Sequence, residues 1–413
     1  MRTDPISVEE ALRRVLAEAE PLPEQRVGLR HGLGRVLARA IAAPRDSPPF
    51  DTSAMDGFAL RAEDVAGARG ASPVELEILE EVAAGDGRER RLSPGHTVRI
   101  NTGAPLPIGA DGVAPIERVE VAGGRARLRE PVAPGQHIRR AGEDYPAGKR
   151  LLEPGTRLDP RGLAVVASVG MAEIPVRRRP RVCLMATGNE LAEPGERLAA
   201  GQIYNSSRFA LEPMLAAWGA EAHVEPVVAD APETTREALE RGLTFDVLVT
   251  TGGVSMGSRD LVRPGLLELG AREIFWKVRQ RPGQPLFFAR RGGTLCFGLP
   301  GNPVSVFVTA VVYVRAALLK MQGAAEVELP WSVAVVGAPI DKQVNITSFV
   351  RVKQDWVTEA GLPQIAPMMD QGSHQAFALA KASGLARLDE ASAGAAPGER
   401  VPYLDFGRFF GLP

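Results

Sequence analysis

An apolar run, Asp246-Val-Leu-Val-Thr-Thr251, breaks at Gly252-Gly253, passes through Val254-Ser255-Met256-Gly257-Ser258-Arg259 and ends on Asp260. Residues of these types in this order can cradle an oxyanion and set a carboxylate at its rim. Glycines let the backbone approach an anion closely, and N–H groups opening a following helix can point at it. Gly252 and Gly257 match the glycine frame of a P-loop. Ser258-Arg259 follow, however, where that loop needs Lys and then Ser or Thr. The stretch reads as an anion loop that differs from that of an ordinary ATPase.

Two further apolar runs end on groups that could join it. One, 181–187, leads into Thr187-Gly-Asn-Glu190, and another, 223–229, leads into Asp230. In a parallel α/β sheet ligands sit beyond the carboxyl ends of the strands. Glu190, Asp230 and Asp260 at three such ends suggest a hard cation, Mg²⁺, which takes oxygen ligands and favours one or two carboxylates plus phosphate. Leu299-Pro300-Gly301-Asn302-Pro303 is a rigid turn before a helix and could aim Asn302 or backbone N–H groups at a ligand. Lys277, Arg279 and Arg281 follow a strand and are candidate cations for an anionic substrate. Further acids stand in polar, turn-prone segments: Asp51 and Asp56 in 51–58, and Glu143 and Asp144 beside Arg139-Arg140. Asn101-Thr102 adds an amide and a hydroxyl in a turn.

The elements that must position these groups follow from periodicity. Ser7-Val-Glu-Glu10 has the form of a capping box opening a helix, and a second helix is expected over about 31–42. Short β-type runs at 75–82, 97–100, 112–121 and 126–129, punctuated by Gly and Pro, read as a small β-rich module. Residues 146–176 bring a helix over 160–169 and could complete the first helical unit, with the module inserted into it. Arg177-Arg-Arg-Pro-Arg181 reads as a solvated hinge. From 181 near-continuous apolar strands (181–187, 223–229, 246–251, 273–278, 294–298) alternate with helices (206–218, 233–242, about 261–269, 304–320), which implies a doubly wound parallel sheet. Beyond Gly323 no helix is expected, and runs at 331–340, 348–356, 364–368, 386–389 and 401–406 read as strands of a β domain.

Bulk properties bound the reading. At 413 residues the chain should hold roughly three domains. Hydrophobic content of 45% with 24% charge suits a globular protein, and a net charge of −1 gives nothing global to attract nucleic acid or an anionic membrane. Anion binding must be local. The 43 Arg against 6 Lys, with abundant Ala, reads as base composition. Cys183 and Cys296 read as core thiols without metal spacing. With no signal-type h-region and no apolar run of about 18 residues, a cytoplasmic protein is expected.

The chain resembles the molybdopterin molybdenumtransferase (MoeA) family, which includes the C-terminal domain of gephyrin. The matching segments are 48–59 (PPFDTSAMDGFA), 99–105 (RINTGAP), 139–144 (RRAGED), 186–191 (ATGNEL), 201–206 (GQIYNS), 251–257 (TGGVSMG), 298–305 (GLPGNPVS) and 371–374 (QGSH). In this order they span nearly the whole chain. The resemblance implies a multidomain α/β plus β fold. Its expected parts are a helical linker domain (1–45 and 146–178), an inserted β-rich domain (46–145), an α/β molybdopterin-binding domain (179–325) and a C-terminal β domain (326–413). It implies a homodimer whose cleft joins the inserted domain of one subunit to the other's α/β and C-terminal domains. Other molybdenum cofactor synthesis proteins and apo-molybdoenzymes are implied as further partners.

The implied reaction is Mg²⁺-dependent insertion of molybdate into the dithiolene of adenylylated molybdopterin, with release of AMP. The family's functional acids fall on Asp56, Asp144, Glu190, Asp230 and Asp260. Thr102, Lys277, Pro300 and Pro303 also fall on family positions. We take Gly252, Gly253, Ser255, Gly257, Arg279, Arg281, Asn302, Arg351, Ser373 and His374 as further substrate-binding candidates, and Asp230, Asp260 and Glu190 as candidate metal ligands. The chain departs from the family at Gln284, where a lysine is common, and at Phe58, where a tyrosine is common. An adenylyltransferase, a binding scaffold and a tungstate-inserting variant are the competing readings.

Overall fold

The computed structural model describes residues 4–254 and 260–411. The chain divides into two compact units, one formed by 40–153 with 161–172 and the other by the remaining segments. The first is built on a six-stranded sheet in the order Gly112–Pro115, Gly57–Leu60, His96–Ile100, Val74–Val82, Arg125–Leu128, Val119–Ala122. Strand Gly57–Leu60 shows why it packs on both faces. Phe58 and Leu60 enter one apolar cluster with Leu76 and Leu128, whereas Ala59 enters another with Val98 and Ile100. That alternation is the two-residue period of a strand. Gly57 cannot carry a side chain, because a Cβ there would lie 2.0 Å from the Ala114 carbonyl oxygen.

Two expectations fail in this half of the chain. The run 112–121 is interrupted by a 3₁₀ turn at Ile116–Arg118, directly after Pro115, which has no N–H for a ladder. The helix expected over 31–42 does not form. Only Leu29–His31 makes a 3₁₀ turn, Gly34 takes φ +72°, and Ile41–Ala42 pairs as a strand with Arg150–Leu152. Apolar residues at helical spacing there serve isolated β-bridges, among them Leu37 with Val176.

The larger unit begins with the helix Val8–Glu18, capped by Ser7 Oγ, which accepts from the Glu10 N–H at 3.1 Å. Glu10 turns its carboxylate to Arg13 and Arg14. The α/β sheet has the order Glu221–Val224, Arg181–Ala186, Val247–Thr251, Thr294–Leu299, Phe287–Arg291, Arg272–Trp276. Five of its strands run in one direction and only Phe287–Arg291, between Thr294–Leu299 and Arg272–Trp276, runs against them, so the all-parallel expectation is corrected to a mixed sheet. The overlooked strand is Phe287–Arg291, joined to the next through Gly292-Gly293 with Gly292 at φ +58°. A two-residue Gly-Gly loop is a hairpin signal. The strand expected over 223–229 ends at Val224, and only Val228 rejoins the sheet, bridging Thr187, after Pro226 has broken the ladder.

The helical segment Pro303–Met321 contains a π turn at Ala310–Val314. It is long and apolar enough to span a bilayer by composition, but 89% of its apolar window is buried inside the fold. A helix apolar all round fits that core position. The C-terminal strands run in the order Gln280–Arg281, Thr347–Val357, Pro363–Pro367, Ser332–Val336, Arg400–Asp405, Gly384–Leu388, and Thr347–Val357 also pairs with Gly384–Leu388. The sheet thereby closes on itself. Gln280–Arg281 enters it from the α/β segment. Helices do recur beyond 323, at Ala376–Lys381 and Phe406–Phe410, both too short to leave a periodic pattern.

The starts of two parallel strands are held by Asp246. Its carboxylate accepts from Arg178 Nη1 and Nη2 at 2.7 and 2.8 Å and from the Arg181 N–H at 2.7 Å. Burial works to raise this carboxyl, but those three donors outweigh it and hold it below its ordinary value of 3.8. Asp246→Asn should therefore cost about 2 kcal/mol at neutral pH. Because the folded-state value is depressed, the contribution is complete above the unfolded value and is lost as pH falls through the folded one. Urea denaturation of both proteins from pH 7 to pH 3 should show the gap closing in acid. A gap independent of pH would refute the assignment.

Candidate active site

A cavity of ≈400 Å³ opens beyond the carboxyl ends of the parallel strands. Strand Arg181–Ala186 delivers Thr187, Gly188 and Glu190 to it, and Val247–Thr251 delivers Gly252, Gly253 and Val254. Asp230 comes from the loop before helix Pro232–Gly242, Asp260 from the segment before Val262–Glu268, and Pro300, Gly301 and Asn302 from the turn before Pro303. Seven of the sequence candidates, Glu190, Asp230, Gly252, Gly253, Asp260, Pro300 and Asn302, are thus brought together. Ser255 and Gly257 lie outside the described residues.

The glycines are there because nothing else fits. Gly252 and Gly253 take φ +85° and +68°. A Cβ on Gly252 would meet the Thr187 carbonyl oxygen at 2.9 Å, and one on Gly253 would meet Val262 Cγ2 at 2.7 Å and Thr187 Oγ1 at 3.0 Å. Gly252 is fixed by donating its N–H to Leu299 O, and the Val262 N–H closes the loop onto Gly253 O. The Trp276 indole N–H donates to Val254 O at 3.0 Å and braces the wall. Asp230 is held by a reciprocal pair: its N–H donates to Asn189 Oδ1 at 3.0 Å, and the Asn189 N–H donates to Asp230 Oδ2 at 3.3 Å.

Thr187 is the residue the sequence reading overlooked as a ligand. It is 7% exposed, lines the cavity, and its hydroxyl oxygen is buried without a hydrogen-bond partner among the described residues. A buried, unpaired hydroxyl is costly unless a ligand completes it. Its position in Thr-Gly-Asn-Glu, at a strand end, was the available signal. Pro285, Gly188 and Gly301 also line the cavity and were not singled out.

Among the described residues the lining carries three carboxylates and neither Lys nor Arg. Glu190, Asp230 and Asp260 do not form a ready-made metal cage, since no group of three His, Cys, Asp or Glu close enough to hold an ion occurs among the described residues. They remain hard oxygen donors around one cavity, which suits a Mg²⁺ that brings its own waters and phosphate ligands.

None of the expected cations is among the described residues that line this cavity. Arg279 donates to Glu390 at 3.1 Å and to the Pro5 carbonyl, so its guanidinium is a structural tie. Arg281 lines a separate cavity of ≈220 Å³ with Lys342 and Ser348. Lys277, at φ +72°, lays its ammonium over the Trp276 ring at 4.4 Å. Arg351 is 1% exposed and donates to the Asp370 and Gly372 carbonyls, which makes it a brace for the loop that carries Ser373 and His374. Ser373 reaches the site's edge, accepting from Asn302 Nδ2 at 2.8 Å, and its carbonyl accepts from the Val304 N–H. His374 is exposed, and Pro303 opens the helix as its first residue.

Asp56, Thr102 and Asp144 belong to the other unit. The Thr102 N–H and hydroxyl both donate to Asp56 Oδ1, at 2.7 and 2.9 Å, and hold that carboxyl below its ordinary 3.8. Asp144 is exposed, with its N–H on Ser47 O. Asp51 binds Arg140 Nη1 at 2.6 Å and the Ala141 N–H at 2.9 Å, which organises the segment leading to Asp144. Thr102→Val removes one of the two donors, so the Asp56 carboxyl should titrate at higher pH. Carboxyl ¹³C NMR would detect that rise, and an unmoved midpoint would show that the hydroxyl contributes nothing.

This is a multidomain framework with a ligand-sized cavity at the strand ends of its α/β sheet. Residues 183–320 match the family model "Probable molybdopterin binding domain", 6–170 match "MoeA N-terminal region (domain I and II)" and 333–406 match "MoeA C-terminal region (domain IV)". The chain belongs to the molybdopterin molybdenumtransferase (MoeA) family, a family of transferases. It is 35% identical to molybdopterin molybdenumtransferase 2 of Mycobacterium tuberculosis, covering 92% of this chain and 94% of the relative. It is 32% identical to the molybdopterin molybdenumtransferase of Staphylococcus aureus, covering 98% and 96%. The crystal structure of the molybdopterin biosynthesis MoeA protein from Pyrococcus horikoshii OT3 superposes with a TM-score of 0.83 at 30% identity, covering 98% of this chain and 100% of that one.

Proposed function

We propose that this chain acts in molybdenum cofactor biosynthesis, inserting molybdate into the dithiolene of adenylylated molybdopterin with release of AMP in a Mg²⁺-dependent reaction. The observation that carries the reading is the cavity at the strand ends, lined by two left-handed glycines, by Thr187, whose buried hydroxyl has no partner among the described residues, and by three carboxylate residues. Backbone close to Gly252, Gly253 and Gly301 can approach an oxyanion, and the start of the helix at Pro303 adds its positive end. Three carboxylates alone would repel a phosphoanhydride. A Mg²⁺ held by Asp230 and Asp260 with Glu190 nearby would supply the offsetting charge and polarise the phosphate.

The chain's own residues then have distinct tasks. Asn189 fixes the Asp230 carboxylate, Thr187 Oγ donates to a ligand oxygen, and Asn302, tied to Ser373, sets the rim. Glu190 is assigned a proton at the ligand as oxo groups leave as water. Asp56 and Asp144 are assigned to proton handling or pterin positioning by the family match of their segments. The active form is proposed to be a homodimer, with a helical linker, an inserted β-rich domain, an α/β domain and a C-terminal β domain in each subunit. Incubating the protein with adenylylated molybdopterin, Mg²⁺ and molybdate should yield AMP and a cofactor that activates an apo-molybdoenzyme. Absence of both products, with the protein folded, would overturn the reading.

A further inference from the structure

A cavity of ≈430 Å³ lies among Gly155–Arg157, Arg315 and Leu319 of the long apolar helical segment, and the connection 324–330. Two arginines line it, and both are pinned by carbonyl oxygens. Arg157 donates from Nη2 to Ala217 O at 2.6 Å and from Nε to Gly34 O at 3.3 Å. Arg315 donates from Nη1 to Val327 O and Glu328 O at 3.0 and 3.1 Å and sits over the Phe409 ring at 5.5 Å. Among the described residues neither guanidinium has a carboxylate within 4.0 Å, although Glu326 and Glu328 line the same cavity.

The two charges feel each other. Burial first, and then the charge of Arg157, push Arg315 down to about 10. Burial also lowers Arg157. The wall around them is built to close tolerance. Gly155, at φ +85°, accepts from the Ala325 N–H at 3.1 Å, and a Cβ there would stand 3.0 Å from Ala325 N and from Gly323 O. Two partly desolvated cations that repel, held in place without counter-charges, are unfavourable unless something anionic joins them. Guanidinium forks match tetrahedral oxyanions in charge and in donor geometry.

We propose that this cavity binds a doubly charged tetrahedral oxyanion, phosphate or the phosphate group of a nucleoside monophosphate, between Arg157 and Arg315. Arg157 Nη1 and Arg315 Nη2, which carry no hydrogen bond among the described residues, supply the added donors. The site is separate from the proposed reaction, and its occupancy is read without turnover.

The test is calorimetric titration and thermal melting of the full-length protein with inorganic phosphate, with AMP, and with chloride at matched ionic strength. Phosphate should bind saturably and raise Tm by about 1–2 °C at ten times its Kd. In Arg157→Gln/Arg315→Gln the affinity should fall at least about tenfold, because the charge-assisted donors are gone. Without phosphate, its Tm should stay near that of the parent, since relief of the repulsion offsets part of the lost bonds to the Gly34, Ala217, Val327 and Glu328 carbonyls. If the double variant does not fold, Arg315→Lys keeps the charge without the fork, and its phosphate affinity should fall several-fold. Competition by AMP that disappears in the double variant identifies a nucleotide phosphate as occupant, whereas phosphate binding unaffected by AMP identifies the free ion. A parent that binds neither, or a variant with undiminished affinity, overturns the proposal.

Discussion

Asp260→Asn is expected to lower molybdate-dependent AMP release by roughly 100-fold or more at saturating substrate, the scale on which a metal-organising or charge-stabilising group acts. The substitution preserves shape and removes a negative charge from a cavity that Glu190 and Asp230 also line. If Asp260 helps to hold Mg²⁺, the residual activity should need a higher Mg²⁺ concentration for half-saturation. Asp230→Asn should differ, because the lost charge sits on a carboxylate that also clamps the Asn189 N–H, so loop order changes as well. Initial rates across a Mg²⁺ series separate these cases. A parent-like rate with a parent-like Mg²⁺ curve would remove Asp260 from the metal's shell.

Gly253→Ala is expected to damage both fold and activity. The residue sits at φ +68°, which costs an L side chain about 1 kcal/mol. Its new methyl would also stand 2.7 Å from Val262 Cγ2 and 3.0 Å from Thr187 Oγ1. Together these predict a loss of about 2–3 kcal/mol in stability and displacement of the Thr187 hydroxyl from the cavity. Gly301→Ala is the informative companion. Its Cβ would meet nothing nearer than Gly252 Cα at 3.9 Å, and its φ is not positive. That variant should keep its stability within about 0.5 kcal/mol and still lose activity, because the methyl fills space the ligand backbone contact requires. Urea melts alongside AMP-release rates would show the contrast. Parent-like activity in both variants would mean the glycine turns have no part in ligand approach.

The legibility of this chain in its sequence was uneven for physical reasons. The α/β strands bearing Thr187, Gly252 and Leu299 were readable because both their faces are buried, which leaves long apolar runs. The cluster of Glu190, Asp230, Gly252, Asp260 and Asn302 followed from the rule that such sheets bind ligands at strand ends. What periodicity could not show was where charged side chains spend their hydrogen bonds. Arg279 and Arg351 carry the charge an oxyanion wants, but carbonyls and Glu390 claim them. The mistaken helix at 31–42 and the unrecognised strand Phe287–Arg291 share a cause. Apolar positions in a segment broken by a left-handed glycine, or in one only five residues long, fit either period, and tertiary pairing decides. The orphaned Thr187 hydroxyl was invisible for the opposite reason, since only a three-dimensional count of donors reveals it.

The strand Gln280–Arg281 leaves the α/β segment and pairs with Thr347–Ser348 on the C-terminal sheet, beside Thr347–Val357. Severing the chain near Gly323 would strip that donated edge and leave a bare ladder on the released half. Such an excised module would be prone to recruit foreign strands and self-associate, so the C-terminal sheet is completed by a piece of backbone that its own sequence does not encode.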